Sequence, residues 1–207
     1  MNDLVVVIML IKNQDSLVKA LSTLSGYNLG GNFHVLCLVN EASLYMEARV
    51  LMSSLGVFND NELLVEYVET EELSFGDAKR FLEKVSLVFL WDGSNVVGYR
   101  GIIELGSDFF YHTTAGVISG NIKSEDEVFF TADNLYAKEL VCSPIKSSNG
   151  SYERFDVCRI ASAMTSYDNF MSFDWKDGFW GYCLHLRQLG YMNYINKEVE
   201  VQGAWQK

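Results

Sequence analysis

Short apolar runs at Leu4–Ile11, Phe33–Val39, Leu63–Val68 and Leu87–Trp91 constrain this chain more than any other feature. Runs with little polar alternation suit strands buried on both faces, the condition of parallel sheets covered by helices. Stretches with helical spacing separate them. After the first run, Lys12, Asn13 and Gln14 read as a loop and Asp15 or Ser16 as a helix cap; Leu17, Leu21 and Leu24 then share one face and Gly26 supplies a stop. After the second, Ser43 reads as an N-cap, Leu44, Ala48, Leu51 and Leu55 as a helical stripe, and Gly56 as its end. Residues 71–85 read as a third helix with Phe75, Ala78, Leu82 and Val85 inward. Strand and helix alternate with short connections. The fold class expected is therefore α/β: a Rossmann-like, mostly parallel sheet with helices on both faces.

The alternation breaks after residue 95. Short apolar pieces separated by Gly and Ser (Val96-Val97, Ile102-Ile103, Phe109–Tyr111, Ala115–Ser119 and Val128–Phe130) predict short strands and loops up to about residue 131. Asp133 would cap a short helix to Leu140, and residues 143–151 read as a mobile loop. Residues 155–171 are apolar enough to re-enter the core. A helix from Gly178 to Gln188 would turn Phe179, Tyr182, Cys183, Leu186 and Leu189 inward and stop at Gly190; Val199–Val201 reads as a last strand.

At 207 residues, with no linker or repeat, the chain is expected to form one domain spanning residues 1–207. Its net charge of -11 argues against coating a polyphosphate, which needs a cationic surface, while leaving room for one nucleotide in a local pocket. The apolar run Val5–Ile11 is too short to span a membrane, and no signal-peptide pattern surrounds it. The scattered cysteines Cys37, Cys142, Cys158 and Cys183 form no CxxC pair and read as buried thiols of a cytoplasmic protein. His34, His112 and His185 lack ligand spacing for zinc. P-loop, dinucleotide-binding glycine and Gly-x-Ser-x-Gly motifs are missing.

The chemistry-bearing residues gather at the ends of the predicted strands, where open α/β sheets collect ligands. Asp92 follows Leu87–Trp91 and reads either as a site acid or as a cap of the Gly93-Ser94-Asn95 turn. Asn13, Asn40 and Ser43 stand at the ends of the first two strands, suited to nucleotide contacts or to capping. Lys79 and Arg80 would face a diphosphate or be solvated. The dense aromatic group from Phe170 to Tyr182 reads as core, as an interface, or as a platform for a sugar ring.

Several strings together resemble the family 2 glycosyltransferases, which have the GT-A fold. They are Val5–Ser16 (VVVIMLIKNQDS), Val35–Ser43 (VLCLVNEAS), Glu72–Arg80 (ELSFGDAKR) and Gly178–Tyr191 (GFWGYCLHLRQLGY). The resemblance spans nearly the whole chain. It implies a nucleotide-binding half over residues 1–95 and an acceptor-side half over residues 96–207. It further implies a nucleotide-sugar donor, a hydroxyl acceptor and a divalent cation (Mn or Mg) held at the tip carrying Asp92. The chain departs from the family where chemistry is expected. Asn40 replaces a base-binding aspartate. The Asp-x-Asp match reads Trp91-Asp92-Gly93, or Asp92-Gly93-Ser94 with a slip of one residue. Gly178 and Phe179 occupy the positions of a Glu-Asp pair that supplies the general base, leaving Asp177, just ahead, as the base or as a helix N-cap. Two functions follow as expectations: sugar transfer to a hydroxyl, or a catalytically inactive relative that binds or assembles with a partner transferase or a second copy, through the aromatic 170–182 region.

Overall fold

The computed structural model describes residues 5–25, 33–56, 62–93, 95–123, 145–147, 150–155 and 162–203. The first half follows the expected alternation. Strand β1 (Val5–Ile11), helix α1 (Gln14–Leu24), β2 (Phe33–Val39), α2 (Ala42–Ser54), β3 (Leu63–Tyr67), a 3-10 turn (Phe75–Phe81) and β4 (Leu87–Trp91) follow one another. The second half holds β5 (Asn95–Val97), α3 (Tyr99–Tyr111), β6 (Ala115–Lys123), β7 (Ile145–Ser147), β8 (Gly150–Phe155), β9 (Ser162–Ser166), α4 (Tyr167–Ser172), a 3-10 turn (Trp175–Asp177), α5 (Gly178–Gln188) and β10 (Met192–Gly203).

Among the described residues the strands join one ten-stranded sheet in the order β3-β2-β1-β4-β9-β6-β10-β8-β7, with β5 beside β10. The pairs β1–β2, β1–β4, β2–β3 and β6–β10 are parallel; β9 is antiparallel to β4 and β6, β5 and β8 to β10, and β7 to β8. Only β5, β8 and β9 therefore oppose β1, and the sheet is mixed but mostly parallel.

Every residue of β1 is buried, and successive side chains serve opposite faces. Val5, Val7, Met9 and Ile11 pack with α1, α2 and α3 through Leu17, Leu44 and Ile102. Val6, Ile8 and Leu10 pack with the 3-10 turn, α4 and α5 through Phe75, Phe170 and Tyr182. Helical elements thus cover both faces, as the apolar runs require.

The departures from the sequence reading have local causes. The helix expected over 71–85 is a 3-10 turn over Phe75–Phe81. With about three residues per turn, Phe75, Ala78 and Phe81 share a face; the first two are buried and Phe81 is partly so. Residues 99–111, expected as short strands and loops, form α3. Its Ile102 and Leu105 are fully buried, with Phe109 packed against the same cluster. The i, i+3, i+7 spacing was present, but Gly101 and Gly106 obscured it. Residues 145–147 and 150–151, within the expected mobile loop, pair as β7 and β8. Leu189 is 56% exposed, since α5 ends before it. Gly56 and Gly190 close α2 and α5 with φ of 63° and 90°, conformations that favour glycine. Gly26, Val128–Phe130, the 133–140 helix, Cys142 and Cys158 lie outside the described residues.

The aromatic group from Phe170 to Tyr182 is core. Phe170, Phe173, Trp175, Phe179 and Tyr182 are buried, with Trp175 stacked among Phe75, Phe170, Phe173 and Tyr182 at centroid distances of 4.6–5.4 Å. These five rings pack in the core, and Trp175 and Phe179 also border the cleft beyond the ends of β1 and β4. Trp180 alone of that group is half-buried.

Candidate functional site

The chain leaves β1 outward to β2 and β3, then returns to the opposite side of β1 to make β4. The crevice beyond the ends of β1 and β4 is thus the switch point of the sheet, the place where open α/β folds receive ligands. Lys12 follows β1 there and Asp92 follows β4. A cleft of about 780 Å³ opens over these tips. One wall is Glu72–Gly76 with Lys79; the other is Asp174–Phe179. A second depression, of about 620 Å³, lies between α2 and β3 at the sheet edge, with Glu66 as its acid and Arg49 as its base. The switch-point cleft is the one that gathers acids and bases from distant parts of the chain.

Local chemistry holds each wall in place. Asp77 accepts hydrogen bonds from the Ser74 backbone N–H at 2.9 Å and from its hydroxyl at 3.1 Å, which starts the first 3-10 turn. A Cβ on Gly76 would stand 2.9 Å from the Trp175 Cβ, so the two walls meet at a glycine. Lys79 crosses between them: its ammonium donates to the carbonyls of Met171 at 2.9 Å and Phe173 at 2.6 Å. Burial pushes the Lys79 pKa below its ordinary value, with nearby Asp174 opposing. The Trp175 indole donates to the Phe170 carbonyl at 3.2 Å. Asp174 and Lys176 pair at 2.8 Å; the hydrogen bond with Lys176 holds the Asp174 carboxyl below its ordinary value.

Of the residues singled out in the sequence, Asp92, Asp177 and Lys79 line this cleft. Asp92 and Asp177 arrive from a strand tip and a helix start far apart in sequence. Asp177 occupies the N-cap position of α5 yet makes no capping hydrogen bond with its side chain. It lies against Gly181, where any Cβ would overlap it.

Asn13, Asn40, Ser43 and Arg80 do not line the cleft. Asn13, and not Asp15 or Ser16, caps α1: its carboxamide oxygen accepts from Ser16 N at 2.9 Å, and Ser16 Oγ accepts from Asn13 N at 3.0 Å. Asn40 donates to the carbonyls of Thr70 at 3.2 Å and Glu71 at 3.3 Å, tying the end of β2 to the segment that follows β3. Ser43 is not the N-cap of α2; Glu41 is, and the Ser43 hydroxyl donates to the Glu41 carboxylate. Arg80 lies over the Phe81 ring at 4.7 Å. Sequence reasoning passed over Lys12, Asp174 and Lys176. The signal for Lys12 was available: it stands to its strand as Asp92 stands to β4.

The divalent cation implied by the resemblance needs several hard oxygen donors. Among the described residues no three His, Cys, Asp or Glu side chains group so as to hold a metal ion. Geometry explains the poor donor set around Asp92. Trp91 is fully buried in the core. Gly93 has φ +87°, and a Cβ there would stand 2.8 Å from the Ser16 Cβ and 3.0 Å from the Leu10 carbonyl. Neither neighbour of Asp92 can present a second acid, so the residues do not fit a protein-held cation. Cys37 and Cys183 are buried free thiols, and burial raises the Cys37 pKa far above its usual range, leaving it unreactive.

With the fold and cleft described, comparison with known proteins bears on the fold. No protein-family model and no curated protein matches the chain. Solved structures do. The chain is similar to the mannosyltransferase PcManGT from Pyrobaculum calidifontis, solved in complex with GDP-Man and Mn2+, at TM-score 0.68 and 12% identity over 98% of this chain. It is also similar to S. aureus TarS at TM-score 0.58 and 12% identity over 97% of this chain. The chain spans 57% and 60% of those two chains. At these identities the likeness shows a shared fold, α/β and Rossmann-like. Among the described residues no helix is long and apolar enough to cross a membrane.

Proposed function

We propose that this chain is a glycosyltransferase-like protein that moves a sugar from a nucleotide-sugar donor to a hydroxyl acceptor, with the cleft over β1 and β4 as its site. The observation that carries this reading is the meeting of Asp92 and Asp177 at the switch point of the sheet. The likeness to a mannosyltransferase solved with its nucleotide-sugar supports it. In this reading residues 1–95 form the donor half and residues 96–207 the acceptor half of one domain.

Asp177 is the general base. Its carboxylate takes the proton of the acceptor hydroxyl as that oxygen bonds to the anomeric carbon. The bond from that carbon to the donor diphosphate breaks, and the nucleoside diphosphate leaves with the electron pair. Freedom from capping duty leaves the Asp177 carboxylate available for this role. Asp92 accepts hydrogen bonds from donor hydroxyls, as an ionised carboxylate can only accept. Lys79 is a strut: its bonds to Met171 and Phe173 hold the segment that carries Asp177 against the first 3-10 turn.

A second reading, an inactive relative that binds a partner or a glycan, is favoured by one observation. Gly178 and Phe179 stand where the resemblance expects acids, and Phe179 is core. Melting curves with a panel of nucleoside diphosphates and nucleotide-sugars, with and without manganese, test the first reading. A stabilising shift is expected, together with donor hydrolysis that Asp92→Asn and Asp177→Asn abolish. Binding without turnover would favour the second reading; no shift with any nucleotide would sink the first.

A further inference from the structure

We infer that this chain neutralises the diphosphate of its donor with the ammonium group of Lys12 and not with a divalent cation. The inference rests on the reading of the cleft as a nucleotide-sugar site and goes beyond it by naming what holds the charge. A diphosphate entering a cleft that already contains Asp92, Asp174 and Asp177 needs compensating positive charge. Among the described residues no three His, Cys, Asp or Glu side chains group to hold a metal: beside Asp92, Trp91 is core and a Cβ on Gly93 would crowd Ser16 and the Leu10 carbonyl.

Three lysines line the cleft, and two are committed. Lys79 is bound to two backbone carbonyls, and Lys176 is paired with Asp174. Lys12 is different. Its ammonium makes no hydrogen bond or ion pair among the described residues, and the residue is exposed. Its backbone is fixed: the Lys12 N–H donates to Ser16 Oγ at 2.9 Å, inside the capping box that starts α1. A flexible side chain on an anchored backbone, one residue beyond a wholly buried central strand, puts a point charge at the switch point without prior ordering of the ammonium. Lysine serves phosphate as such a point charge. Of the two residues the sequence offered for this task, Lys79 is committed to carbonyls and Arg80 lies outside the cleft.

Calorimetric titration of the whole chain separates the possibilities. The probes are uridine, guanosine, adenosine, cytidine and thymidine diphosphates and the matching nucleosides, each in EDTA and in manganese. The expected result is that the preferred diphosphate binds in EDTA within about threefold of its affinity in manganese. Lys12→Ala then weakens diphosphate binding by roughly tenfold or more, the loss of one charge-assisted contact, leaves the nucleoside unaffected, and Lys12→Arg restores most of the affinity. Because Lys12 is exposed, its variants retain the fold, which a melting curve verifies. Diphosphate binding that requires manganese, or that persists unchanged in Lys12→Ala, overturns the inference and leaves the proposed function standing. If no diphosphate binds in either buffer, the proposed function falls first and the inference with it.

Discussion

Asp177 lies directly over Gly181: a methyl group on Gly181 would overlap the Asp177 Cβ and stand 3.4 Å from its carboxyl carbon. The first turn of α5 therefore accepts the acid of the cleft only because its fourth residue has no side chain. Gly178 precedes it with φ +61°, a second position where glycine is favoured. The candidate base is placed by two glycines.

This relationship reverses a usual rule. Inside a helix, Gly→Ala normally stabilises by about 1 kcal/mol. Gly181→Ala is expected to destabilise by roughly 1–3 kcal/mol through overpacking, and to displace Asp177. Melting should fall by roughly 2–4 °C for each kcal/mol in a chain of this size, with donor turnover falling alongside. A rise in melting temperature would show that Asp177 does not sit where it is described.

Gly93 allows a direct test of why no second acid follows Asp92. Gly93→Asp would restore an acid beside it, yet must adopt φ +87° and enter space held by Ser16 and the Leu10 carbonyl. The left-handed backbone costs about 1–2 kcal/mol, and the overlap adds to it. Chemical denaturation should show a loss of roughly 2 kcal/mol or more, without tighter manganese binding. A variant of native stability that binds manganese would refute this account.

Behind the cleft, Thr165 Oγ1 and the Tyr182 hydroxyl are 2.6 Å apart, and Thr165 also donates to the Gly116 carbonyl at 2.8 Å. Burial pushes the Tyr182 phenol above its ordinary range, although the Thr165 hydrogen bond opposes the shift, so the phenol stays neutral. Thr165→Val leaves that buried hydroxyl without this partner and should cost about 1–3 kcal/mol. Adding Tyr182→Phe should cost less than the two single losses summed, as a double-mutant cycle in denaturant would show.

The rim pair Asp174–Lys176 sets a pH signature. The folded Asp174 pKa lies below 3.8, so its contribution is complete above 3.8 and disappears as pH falls through the lower folded value. The folded Lys176 pKa lies above 10.5, mainly through its hydrogen bond to Asp174, so its contribution is complete below 10.5 and disappears as pH rises through the folded value. Between those limits the pair adds no pH dependence. An NMR titration of the Asp174 carboxyl should give a midpoint below 3.8 that climbs toward 3.8 in Lys176→Gln. An unchanged midpoint would mean that the pair does not persist in solution.

Read by itself, the chain disclosed what depends on local periodicity. The apolar runs Val5–Ile11, Phe33–Val39 and Leu87–Trp91 read as strands covered on both faces, and the Gly178–Gln188 helix carried its own stripe and stop. From those came the α/β class and the expectation that ligands gather at strand tips, with Asp92 at one of them. Helix α3 was missed because Gly101 and Gly106 interrupt its stripe, and the 3-10 turn was overextended because Phe75 and Ala78 fit either helical period. Side-chain partners could not be read at all. Asn13, Asn40 and Ser43 stand at strand ends in the sequence as Lys12 does, yet hydrogen bonds within the fold claim them. Lys79 is drawn to carbonyls more than ninety residues away. The crossing of the chain from β3 back to β4 set Lys12 beside Asp92, and the packing of the segment after β9 against the same sheet brought Asp177 to their cleft; a polar side chain bonds to what the fold places beside it, and distance along the chain says little about that.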